Sequence, residues 1–235
     1  MIIDVVTAFP DMITGPVAYS ITGRAVKQNL VRINVHDLRK WTGDKHRTID
    51  DSPYGGGAGM IFKVGPLYAC LSDLAGDSGE KIKILLTSPQ GKVFTQKEAV
   101  RLSLIDHLII VCGHYKGVDE RIKSFFPIDE ISIGDFVLSG GEIPALVLTD
   151  AIVRLIPGVL GDMDSAFTDS FSENLLDCEY YTRPEEFKGV KVPEVLLSGD
   201  HKKIEAWRHQ RREEITKAKR PDIFRKYINE SNHKK

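Results

Sequence analysis

The sequence is poor in cysteine. Cys70, Cys112 and Cys178 are the only three in 235 residues. That is too few for a disulfide framework, and their spacing matches no zinc motif. Long apolar runs are also missing: none reaches the roughly 18–20 residues a membrane span needs. Met1-Ile2-Ile3-Asp4 offers neither the basic start nor the apolar stretch of a secretory signal. These absences together point to a reducing cytoplasm and to no membrane partner. No G-x-G-x-x-G follows the first apolar run, which disfavours the usual dinucleotide fold. No G-x-x-x-x-G-K-[ST] is present either, since the glycines at 55–59 lead into Met60 and Ile61. A phosphate cradle of that kind is excluded.

What is present is ordinary globular material. Apolar residues make up 42% and charged residues 28%, which excludes whole-chain disorder. A net charge of −1 hides an asymmetry. Residues 1–200 hold 20 Lys and Arg against 28 Asp and Glu, whereas residues 201–235 hold 12 against 5. An acidic body with a strongly basic tail favours a polyanionic partner, although a solvated helix end would look the same.

Periodicity predicts an α/β protein. Ile2 to Val6 reads as a buried strand, Asp11 to Gln28 as one or two helices, and Val31, Ile33 and Val35 as alternating strand positions. A long loop from Gly43 to Gly59 follows, then a helix over Val64 to Ala75. Strands over Ile82–Leu86, His107–Cys112 and Ile128–Ile133 alternate with helices over Thr95–Leu104 and Val118–Phe125. Thr95 with Glu98 three residues on is a capping box. Glu142 to Ile156 is an apolar helix. The alternation predicts βαβ units, hence a parallel sheet with helices on both faces. Residues 1–160 form this body, 161–172 a linker of small polar residues, and 173–235 a small, mostly helical unit. In that unit Val192 to Leu197 reads as extended and Asp200 to Arg220 as a charged helix.

Three glycine-bearing segments each follow a predicted strand: Ser88-Pro89-Gln90-Gly91, Gly113-His114-Tyr115-Lys116-Gly117, and Ile133 through Gly141. Ligands of parallel sheets bind outside the carboxyl ends of the strands. One such loop would be only a turn, but three at one edge make a pocket. Backbone groups with apolar Leu86, Ile133 and Leu138 beside them suit an adenine carrying a neutral or cationic attachment.

A set of segments then carries a resemblance. They are His46-Arg47-Thr48-Ile49-Asp50-Asp51 leading to Pro53-Tyr54-Gly55-Gly56-Gly57, the three glycine-bearing loops, Asp119-Glu120-Arg121, and Arg154-Leu155-Ile156-Pro157-Gly158-Val159. Asp169-Ser170-Phe171, Tyr181-Thr182-Arg183-Pro184 and Pro193 through Gly199 complete the set. In this order, nearly end to end, the chain resembles the bacterial tRNA (guanine-N1)-methyltransferases of the SPOUT superfamily. The resemblance implies a deep trefoil knot, S-adenosylmethionine bound bent within it, and a homodimer whose active site is shared between subunits. It also implies N1-methylation of guanosine at tRNA position 37, just 3′ of the anticodon, with residues 173–235 as the tRNA-binding domain.

By that resemblance Leu86, Ser88, Pro89, Gly113, Tyr115, Gly117, Ile133, Gly134, Asp135, Phe136, Val137, Leu138, Gly140 and Gly141 bind the methyl donor, largely through backbone. Guanine N1 carries a proton at neutral pH, so methyl transfer to it needs a base and a donor that stabilises charge on O6. Asp169 matches the family's catalytic aspartate, and Arg154 its electrostatic partner. Taken alone, Asp169 fits equally a helix N-cap ahead of Phe171, with Asp162, Asp164 and Glu173 as competitors. Arg154, near a helix end, fits equally a cation that favours the dipole.

Two departures stand out. Phe136 replaces a tyrosine found in family members and loses one hydroxyl. Lys116 stands where relatives commonly place a glutamate implicated in a magnesium requirement. Reversing that charge beside the methionine carboxylate predicts weaker or altered magnesium dependence. His46, Gly59, Ser165, Ser170, Arg183, Lys202 and Arg208 are the candidate RNA contacts, alongside Arg39, Lys40, Lys45, Arg47, Lys203, Arg211 and Arg212. Trp41 and Trp207 favour packing over base stacking, Cys112 is a small buried hydrophobe, and His114 serves a turn. The alternatives are a ribose 2′-O-methyltransferase, a non-catalytic RNA-binding protein, and a nucleotide-dependent oxidoreductase disfavoured by the missing fingerprint.

Overall fold

The computed structural model describes residues 1–76, 82–161 and 169–233. The chain divides into two compact units, Met1–Gly161 and Asp162–Lys235.

The first unit is built on five parallel strands. In chain order its strands are β1 (Ile2–Thr7), β2 (Arg32–Asp37), β3 (Asp50–Asp51), β4 (Ile61–Phe62), β5 (Ile82–Val93), β6 (His107–Cys112) and β7 (Ile128–Ser132). The main sheet runs β2–β1–β6–β5–β7, every neighbouring pair parallel. β3 and β4 form a separate short antiparallel pair.

Strand alternation distributes the core over two faces. Ile3 and Val5 of β1, with Leu108, Ile110 and Cys112 of β6, pack on one side with Leu102, Leu148 and Ile152. Those last three lie on α4 (Gln96–Ser103) and α5 (Glu142–Val153). Val6, Ile109, Val111, Ile84 and Leu86 pack on the other side against Leu67 and Leu71 of α3 (Val64–Ala75). Two more helices, α1 (Asp11–Val17) and α2 (Ser20–Lys27), place Ile13 and Ala25 on the α5 side. Helices therefore cover both faces, as the alternation predicted. All six residues of β6 are buried, which explains a run with no polar alternation until His107 is counted.

Two predicted elements of this unit differ in detail. The strand from Ile82 continues to Val93, with its pairing to β7 interrupted between Thr87 and Lys92. Ser88 to Gly91 is thus a bulged excursion within one strand, because the chain rejoins its partner immediately afterwards. The segment Val118–Phe125 supplies only a 3-10 turn, Glu120–Ser124, capped by the Asp119 side chain. At Thr95 the N-cap half of the capping box is formed: its hydroxyl accepts from the Glu98 N–H, while the Glu98 carboxylate pairs with Arg101.

The second unit holds a two-residue hairpin, β8 (Glu186–Phe187) with β9 (Val190–Lys191). Three helices follow: α6 (Glu194–Leu197), α7 (His201–Lys219) and α8 (Pro221–His233). The extended reading of 192–197 is corrected to a helical turn, in which the Leu196 N–H donates to Pro193 O. Proline fixes φ at a helix-compatible value there and needs no hydrogen of its own in a first turn. α8 was not foreseen as a separate helix; Pro221 opens it where Arg220 ends α7.

Candidate functional site

The β5 bulge and the carboxyl ends of β6 and β7 border a cavity of about 290 Å³. That is close to the lower end of ligand pockets, about 300–1,000 Å³. The β5 bulge contributes Leu86, Ser88 and Pro89, and the segment after β6 contributes Gly113, Tyr115 and Gly117. The segment after β7 contributes Ile133, Gly134, Phe136, Val137 and Leu138, then Gly140 and Gly141 ahead of α5. Asp135, expected in this set, is not among the lining residues. Three loops that are far apart in sequence therefore meet because parallel strands expose their carboxyl ends at one edge.

The loops are tied to one another. The Gly141 N–H donates to Gly113 O at 2.7 Å, and the Gly113 N–H donates to the Thr87 hydroxyl at 3.2 Å. The Thr87 hydroxyl in turn donates to Val111 O at 3.2 Å. A side chain on Gly141 would fall 2.0 Å from that Thr87 oxygen and 2.8 Å from the Cys112 Cα. The glycine is required by close approach, not by a turn. Thr87 was not singled out in the sequence; its signal was a hydroxyl directly after the apolar run Ile84-Leu85-Leu86.

The lysines and glutamates lining the cavity are Lys116, Glu120, Lys123 and Glu130. Lys123 reaches Glu120 at 2.9 Å and Glu130 at 2.8 Å, and these carboxylates hold its ammonium above the usual lysine range. Among the described residues Lys116 forms no salt bridge, so a cation lines the cavity without a carboxylate partner. Burial, and then the Glu142 charge, push the Cys112 thiol well above its ordinary value. Cys112 is fully buried, as expected of a small hydrophobe. Glu142, the first residue of α5, is buried beneath the loops. It was missed in the sequence, where its signal was an acid opening a mostly apolar helix.

The other site residues are placed as follows. Arg154 is half-buried just past the end of α5, with its N–H on Asp150 O. Asp169 is half-buried in the second unit, where its carbonyl accepts from the Ser172 N–H. No helix begins there, so the helix N-cap reading of Asp169 does not apply. Ser170 accepts from the Asp177 N–H at 2.9 Å, and Ser165 lies outside the described residues. His46, Gly59, Arg183, Lys202 and Arg208 are all exposed. The Arg208 guanidinium lies 5.9 Å from the centre of the Tyr180 ring.

Two cations counted as candidate RNA contacts are engaged in ion pairs within the second unit. Arg212 is buried and reaches Glu173 at 3.3 Å, and Arg211 pairs with Glu179 and Glu214. Counting charges along a helix cannot tell which face carries them. Trp41 packs, half-buried, against the α3-side core and donates to Asp73 at 3.2 Å. Among the described residues there is no cluster of three or more His, Cys, Asp or Glu able to hold a metal. None of the described helices is long and apolar enough to cross a membrane.

Residues 1–226 match the sequence profile of a family described as tRNA (Guanine-1)-methyltransferase TrmD. The chain belongs to this family. Curated relatives in it are the tRNA (guanine-N(1)-)-methyltransferases of Staphylococcus aureus strains JH9, Newman and JH1. Each is 50% identical over 227 residues, covering 97% of this chain and 92% of the relative. The family match spans both units, so neither the three-loop body nor the helical C-terminal unit is foreign to it.

Proposed function

We propose that this chain methylates N1 of the guanosine 3′ of the anticodon in tRNA, using S-adenosylmethionine bound in the three-loop cavity. The observation that carries the reading is the cavity itself, at the carboxyl edge of a parallel sheet, in a member of this methyltransferase family. Its walls suit the donor. Leu86, Ile133 and Leu138 offer apolar surface for an adenine, and the 113–117 and 139–141 segments offer backbone hydrogen-bonding groups. Lys116 offers a cation to a carboxylate.

When bound, S-adenosylmethionine supplies an electrophilic methyl group on a sulfonium. The chain's residues prepare the other reactant. Asp169 accepts the N1 proton of guanine, which frees a lone pair in the plane of the ring. Arg154 holds the charge that moves onto O6. Asp135, Phe136 and Val137 shape the loop over the donor. The exposed basic residues Lys202 and Arg208 contact the tRNA phosphates, His46, Arg183, Ser165 and Ser170 are further RNA contacts, and Gly59 is a wall of the pocket for the unstacked base. A homodimer in which Asp169 of one protomer serves its partner's cavity, and the trefoil knot of the superfamily, belong to the same reading. So does a cytoplasmic location, which three buried, unpaired cysteines support.

The test is methyl transfer from labelled S-adenosylmethionine to a transcript with guanosine 3′ of the anticodon, beside the same transcript with adenosine there. The expected result is label on the first alone. Asp169→Ala should lower kcat by a factor of about 10²–10⁴, the usual worth of a general base, with donor binding unchanged. Equal label on both transcripts would overturn the base assignment and point to a ribose or another position.

A further inference from the structure

Beneath the cavity lies a buried acid with one oxygen engaged and one not. Glu142 is 1% exposed. Its Oε1 accepts from the Thr7 hydroxyl at 2.6 Å, at the carboxyl end of β1. Its Oε2 and His114 Nδ1 are both buried, face each other at 3.8 Å, and have no hydrogen-bond partner among the described residues. Native proteins rarely leave two complementary polar atoms so placed without using them. The imidazole contacts the Phe9 ring at 4.9 Å and the Tyr115 ring, perpendicular, at 4.6 Å.

The gap sits between the two walls of the cavity. His114 belongs to the 113–117 segment, pairs by backbone with Gly140, and lines the cavity. Glu142 follows the 139–141 segment directly. A side chain on Gly140 would fall 2.4 Å from Glu142 Oε2 and 2.4 Å from His114 Nδ1. Only glycine therefore leaves the two atoms in view of each other. The line Thr7–Glu142–His114 runs from the sheet edge, through the start of α5, to the opposite loop.

We infer that His114 and Glu142 are a positioning pair for the methyl donor. On this inference, which rests on the donor reading of the cavity, the His114 Nδ1–H donates to Glu142 Oε2 when the cavity is filled. That hydrogen bond fixes the distance between the two backbone walls that grip the ligand. It also fixes the imidazole tautomer, leaving Nε2 as an acceptor. Thr7 holds the other carboxylate oxygen so that the acid cannot follow the loop outward. Neither residue touches the reacting atoms on this account; both act through the walls.

The pair is tested by binding of S-adenosylhomocysteine, followed by calorimetry, without any turnover. His114→Phe keeps the ring and removes both nitrogens, and His114→Asn keeps a donor near the position of Nδ1. The expected result is about tenfold weaker binding for Phe and near-normal binding for Asn, the scale of one lost charge-assisted hydrogen bond. In a Glu142→Leu background, His114→Phe should change affinity by less than about twofold, because its partner is already gone. In turnover, His114→Phe should raise the KM for the donor and leave the KM for tRNA unchanged. Equal binding by the Phe and Asn variants overturns the inference, as does a full tenfold effect of His114→Phe in the Glu142→Leu background. If Glu142→Leu does not fold, the Phe and Asn comparison decides alone. If the wild-type chain itself fails to bind S-adenosylhomocysteine, the donor reading of the cavity falls first and the inference with it.

Discussion

The stem of Lys116 fills the space that a side chain on Gly59 would need. An added Cβ at Gly59 would lie 2.8 Å from Lys116 Cγ and 3.2 Å from its Cε. The Lys116 N–H also donates to Met60 O at 3.0 Å. The glycine-rich loop that ends at residue 59 and the segment after β6 are thus one packed surface, and Lys116 is the side chain that joins them. Gly59 has φ +99°, which other residues adopt only under strain.

Lys116→Ala should weaken donor binding about five- to tenfold, the worth of one charge-assisted contact of about 1–1.5 kcal/mol. Methylation by the wild-type chain should lack a strict magnesium requirement once the tRNA is folded. Lys116→Glu should introduce one, because two carboxylates then meet at the cavity. Initial rates with and without magnesium, on pre-folded tRNA, check both statements. A strict requirement in the wild type would remove the argument from charge.

Gly141→Ala should disable the cavity and destabilise the body together. The new methyl group would sit 2.8 Å from backbone atoms of Cys112 and Gly113 as well as 2.0 Å from Thr87 Oγ1. Backbone inside a parallel sheet cannot step aside as a long side chain can. Overpacking of this kind costs about 1–3 kcal/mol. The melting temperature should fall and binding of S-adenosylhomocysteine should be lost. Retained binding would show that the loops tolerate separation.

Asp4 predicts an acid-sensitive core. Its buried carboxylate accepts from Asn34 at 2.8 Å and meets His36 Nε2 at 2.8 Å and His107 Nε2 at 2.5 Å. Burial alone would raise its pKa, but the bonds from His36, Asn34 and His107 outweigh that and hold it below the ordinary 3.8. A depressed carboxylate stabilises fully above the unfolded value and loses that contribution as pH falls through the native one. Asp4→Asn should therefore cost about 1–3 kcal/mol at neutral pH. The difference from wild type should narrow as pH drops below 3.8. Urea unfolding at neutral and at acid pH measures the gap.

The cations of α7 should separate into two groups. Lys202→Ala and Arg208→Ala should raise the KM for tRNA and lower its salt dependence by about one charge each, with melting temperature unchanged. Arg212→Ala should instead lower stability, because it empties a buried position beside the exposed Glu173. Thermal unfolding beside salt-dependent tRNA binding distinguishes them.

The sequence by itself determined the layout of the body and the edge where a ligand would sit. Its strands are apolar runs at period two or fully buried, and one of its helix starts, at Thr95, carries its own side-chain cap. Those signals are local, so they survive without a structure. The three glycine-bearing loops were legible for the same reason: each follows its strand directly, and parallel strands end at one edge. What the sequence left open are relationships between distant residues. Nothing near Glu142 announces that its partners are Thr7 and His114. Nothing in the tail's charge count distinguishes Arg212, buried against Glu173, from exposed Lys202. The helical turn at Glu194–Leu197 was hidden by a proline that favours extended chain and helix starts alike. Tertiary structure decided these points because burial and pairing depend on what lies across the fold. A side chain's own neighbours in the sequence do not carry that information.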